Sequence, residues 1–199
     1  MTAAAARTSR KPVPAPTRVG ALRATAGPPG NPKLARVGAG SASADAGQAE
    51  DEERLYALSC RYLGGKKYWH RRLASRLDVH AAIVGGVPYG SLVFLVASVK
   101  GLEEGDVARV LGISTRTLRR QGETPEKQMP ADLASKAWLF AETLARATDI
   151  FGGKEEAERW MAGPALGLDG QRAIDLLQTV QGAELVNDFL TRLEFGVYS

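Results

Sequence analysis

The sequence is poor in the residues from which disulfide frameworks, membrane spans and metal sites are built. Its 199 residues include one cysteine, Cys60, which excludes an intramolecular disulfide and fits a reducing cytoplasm. We expect Cys60 to be a small core residue. The longest strongly apolar run, residues 92–97, is far shorter than the roughly 20 residues of a membrane-spanning helix. The two histidines, His70 and His80, share no metal-ligand spacing with cysteines or acids.

Patterns typical of enzymes are also missing. Residues 85–90 are glycine-rich but lack the lysine and the preceding strand of a phosphate-binding loop. Asp106, Asp175 and Glu184 form no recognisable catalytic carboxylate pair. The sequence therefore predicts no active site and no cofactor, and an enzyme with an unfamiliar all-α site is the least favoured interpretation.

Charge is distributed unevenly along the chain. Residues 1–53 carry a net charge of +2, residues 54–130 carry 13 basic against 6 acidic side chains, and residues 131–199 carry 6 basic against 11 acidic. The basic middle suits a polyanion, because neutralising phosphates releases counterions and supplies most non-specific DNA affinity. The opposite signs predict two surfaces with different partners.

Residues 1–52 have almost no large apolar side chains and are rich in alanine, proline, glycine and serine. Such a segment buries too little surface to offset the entropy of ordering, so it is predicted to be a disordered N-terminal arm. The arm is either a basic segment that contacts DNA or an over-long start of the reading frame.

From about Glu52 onward apolar residues recur at helical spacing, and nothing alternates convincingly with period two, which predicts an all-α protein. Helices are expected over about 67–84, 91–100, 103–111, from 114 onward, and over 131–151, 154–161, 172–178 and 181–195. The clearest is 131–151, whose apolar stripe steps by three and four residues: Leu133, Ala137, Phe140, Leu144, Ala147 and Phe151.

The stretch 103–121 has the spacing of a helix-turn-helix, the main indication of DNA binding. Ala108 is small where the first helix crosses the second, and Gly112 is free to adopt a positive φ in the turn. Ile113 and Leu118 are expected to anchor the second helix. We therefore assign residues 53–130 to a helical DNA-binding region and 131–199 to a linking helix and a second domain.

The outward residues of the second helix are candidates for DNA contacts. Base reading is assigned to Thr115, Arg116 and Arg119. Backbone contacts are assigned to Ser114, which also caps the helix, and to Arg120. Thr117 faces outward with them. The alternative is an ordinary helix pair whose arginine face is merely solvated.

A second basic cluster, residues 66–72, mixes cations with aromatic side chains. These residues either contact DNA phosphates or form an amphipathic helix that buries Tyr68, Trp69 and Leu73. The sequence favours the helix.

The C-terminal part of the chain resembles the toxin-binding domain of the Xre/MbcA/ParS antitoxin family. The resemblance rests on an acidic helix with a tryptophan and on motifs that follow in the family's order: residues 149–161, Pro164, Leu168, Gly170, residues 174–177, Gly182-Ala183, Val186 and residues 195–199. The stretch that begins near residues 86–92 looks like the family's DNA-binding half, so the resemblance covers roughly residues 80–199. Asp169 stands where the family usually has glycine and Ala173 where it usually has proline, so the loop 163–173 is expected to differ in shape.

The resemblance implies an Xre/Cro-like helix-turn-helix domain followed by a small helical toxin-binding domain. It also implies a toxin partner related to ADP-ribosyltransferases, of the NAD-consuming RES type, whose active site the antitoxin C-terminus blocks. The toxin-binding candidates are Trp160, Glu194, Phe195, Gly196, Val197, Tyr198 and Ser199. Without the resemblance, Val197 and Tyr198 would be taken as a chain end that packs locally.

These observations favour a cytoplasmic, non-enzymatic antitoxin of a type II toxin–antitoxin system that represses its own operon as a homodimer. The alternative is a stand-alone helix-turn-helix transcriptional regulator without a cognate toxin. An adjacent gene of about the size of a RES toxin would distinguish the two.

Overall fold

Helices account for most of the described residues, and the predicted all-α class is confirmed. A computed structural model of the protein describes the backbone of residues 41–196 and the side chains of residues 47–196. The helices, in chain order, are α1 (Ser41–Tyr62), α2 (Arg76–Val84), α3 (Tyr89–Ser98), α4 (Glu104–Leu111), α5 (Thr115–Gly122), α6 (Ala131–Phe151), α7 (Lys154–Ala162), α8 (Ala173–Leu176) and α9 (Val180–Glu194). Single 3-10 turns lie at Gly65–Lys67 and Leu166–Leu168.

Helix α1 begins at Ser41, well before the position near Glu52 that the sequence predicted. Residues 41–52, which the sequence assigned to a disordered arm, are thus part of α1, and residues 1–40 of the predicted arm lie outside the described residues. The absence of large apolar residues suggested disorder, but this stretch contains several alanines and glutamates, which favour helix by intrinsic propensity. Residues 47–52 are exposed, so burial does not hold this part of the helix.

The helix predicted over 67–84 is shorter than expected, because α2 begins only at Arg76. Ser75 caps it: its hydroxyl accepts a hydrogen bond from the Asp78 N–H at 3.2 Å. Residues 68–75 are not helical and residues 65–67 form only a single 3-10 turn, so the amphipathic helix predicted for 66–72 is wrong. Two of its three aromatic and aliphatic residues, Trp69 and Leu73, are nevertheless buried.

A two-stranded antiparallel ladder, which no sequence pattern predicted, joins distant parts of the chain. Strand β1 (Val87–Pro88) pairs with β2 (Gln128–Met129), with Val87 opposite Met129. Strands of two residues are too short for any alternation to be visible in a sequence. The ladder fixes the loop that follows α5 next to the start of α3.

Helix α6 is the centre of the core. Its predicted apolar stripe is buried from Leu133 to Ala147, and Phe151 at its end is partly buried. It packs against α1, α2, α4, α7 and α9, so helices on both sides of residue 130 share it. It stops at Gly152, which takes the left-handed conformation (φ 79°) common after a helix C-terminus. In the part of the chain that the structure describes, no helix is both long and apolar enough to cross a membrane.

Candidate functional site

Helices α4 and α5 form a tightly joined pair. The turn between them is made by Gly112, whose φ of 70° is the left-handed value that the sequence predicted for it. The Ile113 N–H donates to the Ala108 carbonyl at 3.0 Å, which closes the turn against α4. Ala108 and Leu118 are buried at the contact between the two helices. Helix α5 is therefore held rigidly against α4.

The outer face of α5 carries the residues predicted to contact DNA. The Ser114 hydroxyl accepts a hydrogen bond from the Thr117 N–H at 3.0 Å and lies 2.9 Å from the Thr117 hydroxyl. Thr115 and Thr117 are partly buried, whereas Arg116 and Arg120 are exposed. Five of the six predicted residues thus lie on this short helix and Ser114 caps it, but the two threonines are less accessible than the arginines.

Arg119, one of the residues assigned to base reading, forms an ion pair within the chain. Its Nε and Nη2 donate to the two carboxylate oxygens of Glu104 at 3.0 Å each, a bidentate arrangement. The hydrogen bond from Arg119 lowers the pKa of Glu104, so the carboxylate is charged at neutral pH. Sequence analysis missed this pair, because the partners are 15 residues apart on different helices. Helix α5 therefore presents Arg119 in a fixed orientation, and Arg116 and Arg120 in solvent.

A cluster of four charged side chains joins α4 to α8. Asp106 on α4 is buried; one of its oxygens accepts a hydrogen bond from Arg172 at 3.1 Å, and the other pairs with Arg109. Arg172 also donates to both oxygens of Asp175, at 2.7 and 2.8 Å. Removing either arginine would leave Asp106 without one of its two compensating charges, which is costly for a buried carboxylate. This Asp106 cluster fixes α4 against the C-terminal part of the chain.

A second contact between the same parts involves a buried acid. Glu158 on α7 is buried, and one carboxylate oxygen accepts a hydrogen bond from the Gly101 N–H, just before α4, at 2.6 Å. Lys154 lies 3.6 Å from the other oxygen and also donates to the Ser98 carbonyl. A side chain at position 101 would collide with Glu158, since a Cβ there would lie 2.7 Å from its oxygen. Residues 98–101 are therefore held by contacts with side chains of α7.

Trp160, a predicted partner-binding residue, belongs to a row of aromatic side chains. Its ring lies 5.1 Å from Phe151 and 6.0 Å from Phe189, almost parallel to the latter. All three rings are partly exposed. Nearby, Gly167 lies so close to the Phe189 ring that no side chain would fit, and the neighbouring Leu166 is 98% exposed. This aromatic row and Leu166 form an apolar face suited to a protein partner.

The loop that carries Leu166 explains how the chain accommodates its two departures from the family pattern. Asp169 has a φ of 52°, the left-handed region where glycine is usual and aspartate is tolerated better than most residues. Ala173 is the first residue of α8, a position where proline is favoured because its missing N–H is not needed there. Alanine fits the same position, and Ala173 is fully buried.

The end of α9 carries the other predicted partner-binding residues. Gly196 takes a φ of 64° and ends the helix, and Phe195 is 72% exposed. Glu194 pairs with Arg146 at 3.2 Å. Phe195 lines an open groove of about 610 Å³ between α1, α6 and α9, away from the aromatic row. Val197, Tyr198 and Ser199 lie outside the described residues.

Among the residues that the structure describes, no three histidine, cysteine or acidic side chains are grouped as metal ligands would be.

Comparison with known proteins identifies the family to which the C-terminal sequence is similar. Residues 146–196 match the Antitoxin Xre/MbcA/ParS C-terminal toxin-binding domain. The chain is 31% identical over 121 residues to Antitoxin Xre of Yersinia enterocolitica, an alignment that covers 59% of this chain and 81% of the relative. It is 32% identical over 97 residues to Antitoxin Xre of Photorhabdus laumondii, which covers 48% of this chain and 65% of that protein. This chain therefore belongs to the Xre/MbcA/ParS antitoxin family.

Proposed function

We propose that this protein is the non-enzymatic antitoxin of a type II toxin–antitoxin system, with a toxin-binding surface in residues 131–199. The observation that carries the proposal is the match of residues 146–196 to a toxin-binding domain, over the part of the chain that bears the aromatic row. Partly exposed aromatic rings are common anchors of protein interfaces. The toxin is of the NAD-consuming, ADP-ribosyltransferase-like RES type.

In this proposal the toxin is neutralised by occlusion of its active site. Helix α9 ends at Glu194, Gly196 turns the chain with a positive φ, and the exposed Phe195 ring lies beside this end; residues 197–199 follow in the sequence. The tail enters the NAD-binding cleft of the toxin, and the face around Trp160 and Leu166 binds outside it. Both regions together account for the predicted toxin-binding residues.

The second activity is repression of the operon through DNA binding by α4 and α5 as a helix-turn-helix. Arg116 and Arg120 are exposed on α5 and are available to guanine edges and phosphates, and Arg119 is held in orientation by Glu104. A homodimer would match the two-fold symmetry of a palindromic operator. The protein acts in the cytoplasm, where its DNA and its toxin are found.

The two activities are coupled in this proposal. The Asp106 cluster and the contact of Glu158 with Gly101 connect α4 to the helices that carry the toxin-binding face. Toxin binding therefore alters the affinity for the operator, to the extent that the toxin favours one arrangement of these contacts.

Co-expression with the neighbouring reading frame tests the antitoxin role. The neighbour alone should stop growth and deplete cellular NAD, and this chain should restore both and co-purify with it. If the neighbour is harmless, or if this chain neither binds nor neutralises it, the antitoxin role is refuted; operator binding that persists would then identify a stand-alone regulator.

Two variants separate the surfaces, each serving as the control for the other. R116A/R119A should lose operator binding and still neutralise the toxin, whereas deletion of residues 195–199 should abolish neutralisation and keep operator binding. If either variant is folded and loses both activities, the division of labour between the two surfaces is wrong.

A further inference from the structure

The basic turn that precedes α2 lies near the loop that follows helix α5. Lys66 and Lys67 lie in the 3-10 turn Gly65–Lys67, and both side chains are exposed. In the described part of the chain, neither lysine is paired with an acidic side chain. Neither charge is therefore neutralised by an ion pair.

Tyr68 fixes this turn to the start of α3. Its ring lies over Gly64 and Gly90, where a Cβ would come within 2.5 Å and 2.6 Å of ring carbons. Both positions thus require glycine for the ring to lie between them. Gly90 is the second residue of α3, so the lysine turn cannot move independently of that helix.

The start of α3 is in turn bound to the loop that follows α5. The Gly90 N–H donates to the Pro125 carbonyl and the Tyr89 N–H to the Lys127 carbonyl, both at 2.8 Å. The Lys67 ammonium lies 5.0 Å from the centre of the Tyr68 ring. The pKa of Lys67 is raised by the neighbouring Tyr68 hydroxyl and also by Glu126 in that loop. A continuous set of contacts therefore connects the lysine turn to the C-terminal end of α5.

The net charge of the neighbouring loop shows what the two lysines contribute to phosphate binding. The loop after α5 carries Glu123, Glu126 and Lys127, a net charge of −1 that by itself would repel phosphates. Lys66 and Lys67 change the local net charge to +1. The end of a recognition helix commonly lies close to the DNA backbone, where positive charge is needed.

The other half of the basic cluster is used differently. The Nε of Arg72 donates to Glu53 on α1 at 2.7 Å, so its charge is directed to α1. The hydrogen bonds from the Ser75 hydroxyl and the Ala74 N–H lower the pKa of Asp78, at the start of α2, and the nearby charge of Arg71 lowers it further. The cluster that looked uniform in sequence therefore divides into two lysines near the loop after α5, an arginine paired with Glu53 on α1, and Arg71, whose charge acts on Asp78 at the start of α2.

We infer that Lys66 and Lys67 form a second contact site for the phosphate backbone of duplex DNA, which extends the binding surface from α5 to the turn Gly65–Lys67. This inference rests on the proposed DNA-binding function. The contact adds affinity without sequence preference, because phosphates are the same at every step of the duplex.

The test compares the full-length protein with K66Q/K67Q and with the matched control R71Q/R72Q, which removes the same charge from the same segment. Binding is measured by fluorescence anisotropy over a range of salt concentrations. One duplex carries the region upstream of the protein's own reading frame, and another of equal length is unrelated. Circular dichroism melting curves establish that each variant is folded.

For K66Q/K67Q, the slope of log K against log salt should become less steep by about 1.8 for each protomer bound, because each phosphate contact contributes about 0.9. Affinity should fall by a similar factor on both duplexes, and R71Q/R72Q should keep the wild-type slope. An unchanged slope in K66Q/K67Q, or an equal change in both variants, overturns the inference and leaves the DNA-binding function intact. If the wild-type protein binds neither duplex, the proposed function and this inference both fail.

Discussion

Helices α8 and α9 approach each other closely at Gly182, which allows a quantitative prediction. Gly182 is the third residue of α9, and a Cβ there would lie 2.0 Å from the carbonyl oxygen of Leu176 on α8. Heavy atoms in ordinary contact lie about 3.5 Å apart, so α8 and α9 would have to separate by about 1.5 Å. The obstacle is a backbone atom and cannot rotate away.

We therefore expect G182A to destabilise the fold by about 3 kcal/mol, at the upper end of the usual range for overpacking. For a chain of this length that lowers the Tm by about 6–12 °C. The same change at Gly105, the second residue of α4, is the matched control. A Cβ at Gly105 meets no atom within 4 Å, so G105A should gain up to about 1 kcal/mol from helix propensity.

Thermal unfolding of both variants, followed by far-UV circular dichroism, measures the difference. The two substitutions should shift the Tm in opposite directions. If G182A melts at or above the wild-type temperature, α8 and α9 are not packed as described, and the position of the toxin-binding helices would have to be reconsidered.

Three further predictions concern single side chains. Burial raises the pKa of Glu142, so ionisation of this carboxyl destabilises the fold as the pH rises through that pKa. The E142Q variant can still accept the hydrogen bond from the Trp138 indole N–H. It should therefore be at least as stable as wild type in denaturant titrations at pH 7. Hydrogen bonds from Arg172 lower the pKa of Asp175, so this carboxylate stabilises the fold above its unfolded pKa and the stabilisation is lost as the pH falls through the folded pKa. D175N should lower stability at neutral pH and make it less dependent on pH below about 4; an unchanged acid limb would contradict this. Burial raises the pKa of the Cys60 thiol, so iodoacetamide should modify it more slowly at neutral pH in the folded protein than in denaturant, and equal rates would show that the site is open.

The division of the basic cluster 66–72 shows that sequence alone does not assign each of its residues to a DNA-binding surface. Seven consecutive residues, 66–72, read as one motif. The structure gives Lys66 and Lys67 a position beside the loop after α5 and directs Arg72 to Glu53 on α1. Side chains that are neighbours in sequence therefore have different surroundings, because the chain leaves helical geometry between residues 68 and 75.

The sequence by itself determined the features that depend on neighbours within one helical turn. The stripe of α6, the cap at Ser114, the glycine turn at Gly112 and the end of α9 at Gly196 all follow from spacing and from backbone preferences. Their energies come from contacts three or four residues apart, and these are visible in a linear pattern.

Only the tertiary structure determined which charged side chains form pairs and which backbone groups they contact. The pair Arg119–Glu104, the link from Arg172 to Asp106 and the contact of Glu158 with Gly101 join residues 15, 66 and 57 positions apart. No local preference specifies such partners, because many exposed acids and bases in the sequence could pair equally well. Only the packing of α4 and α7 around α6 brings these particular atoms within hydrogen-bonding distance.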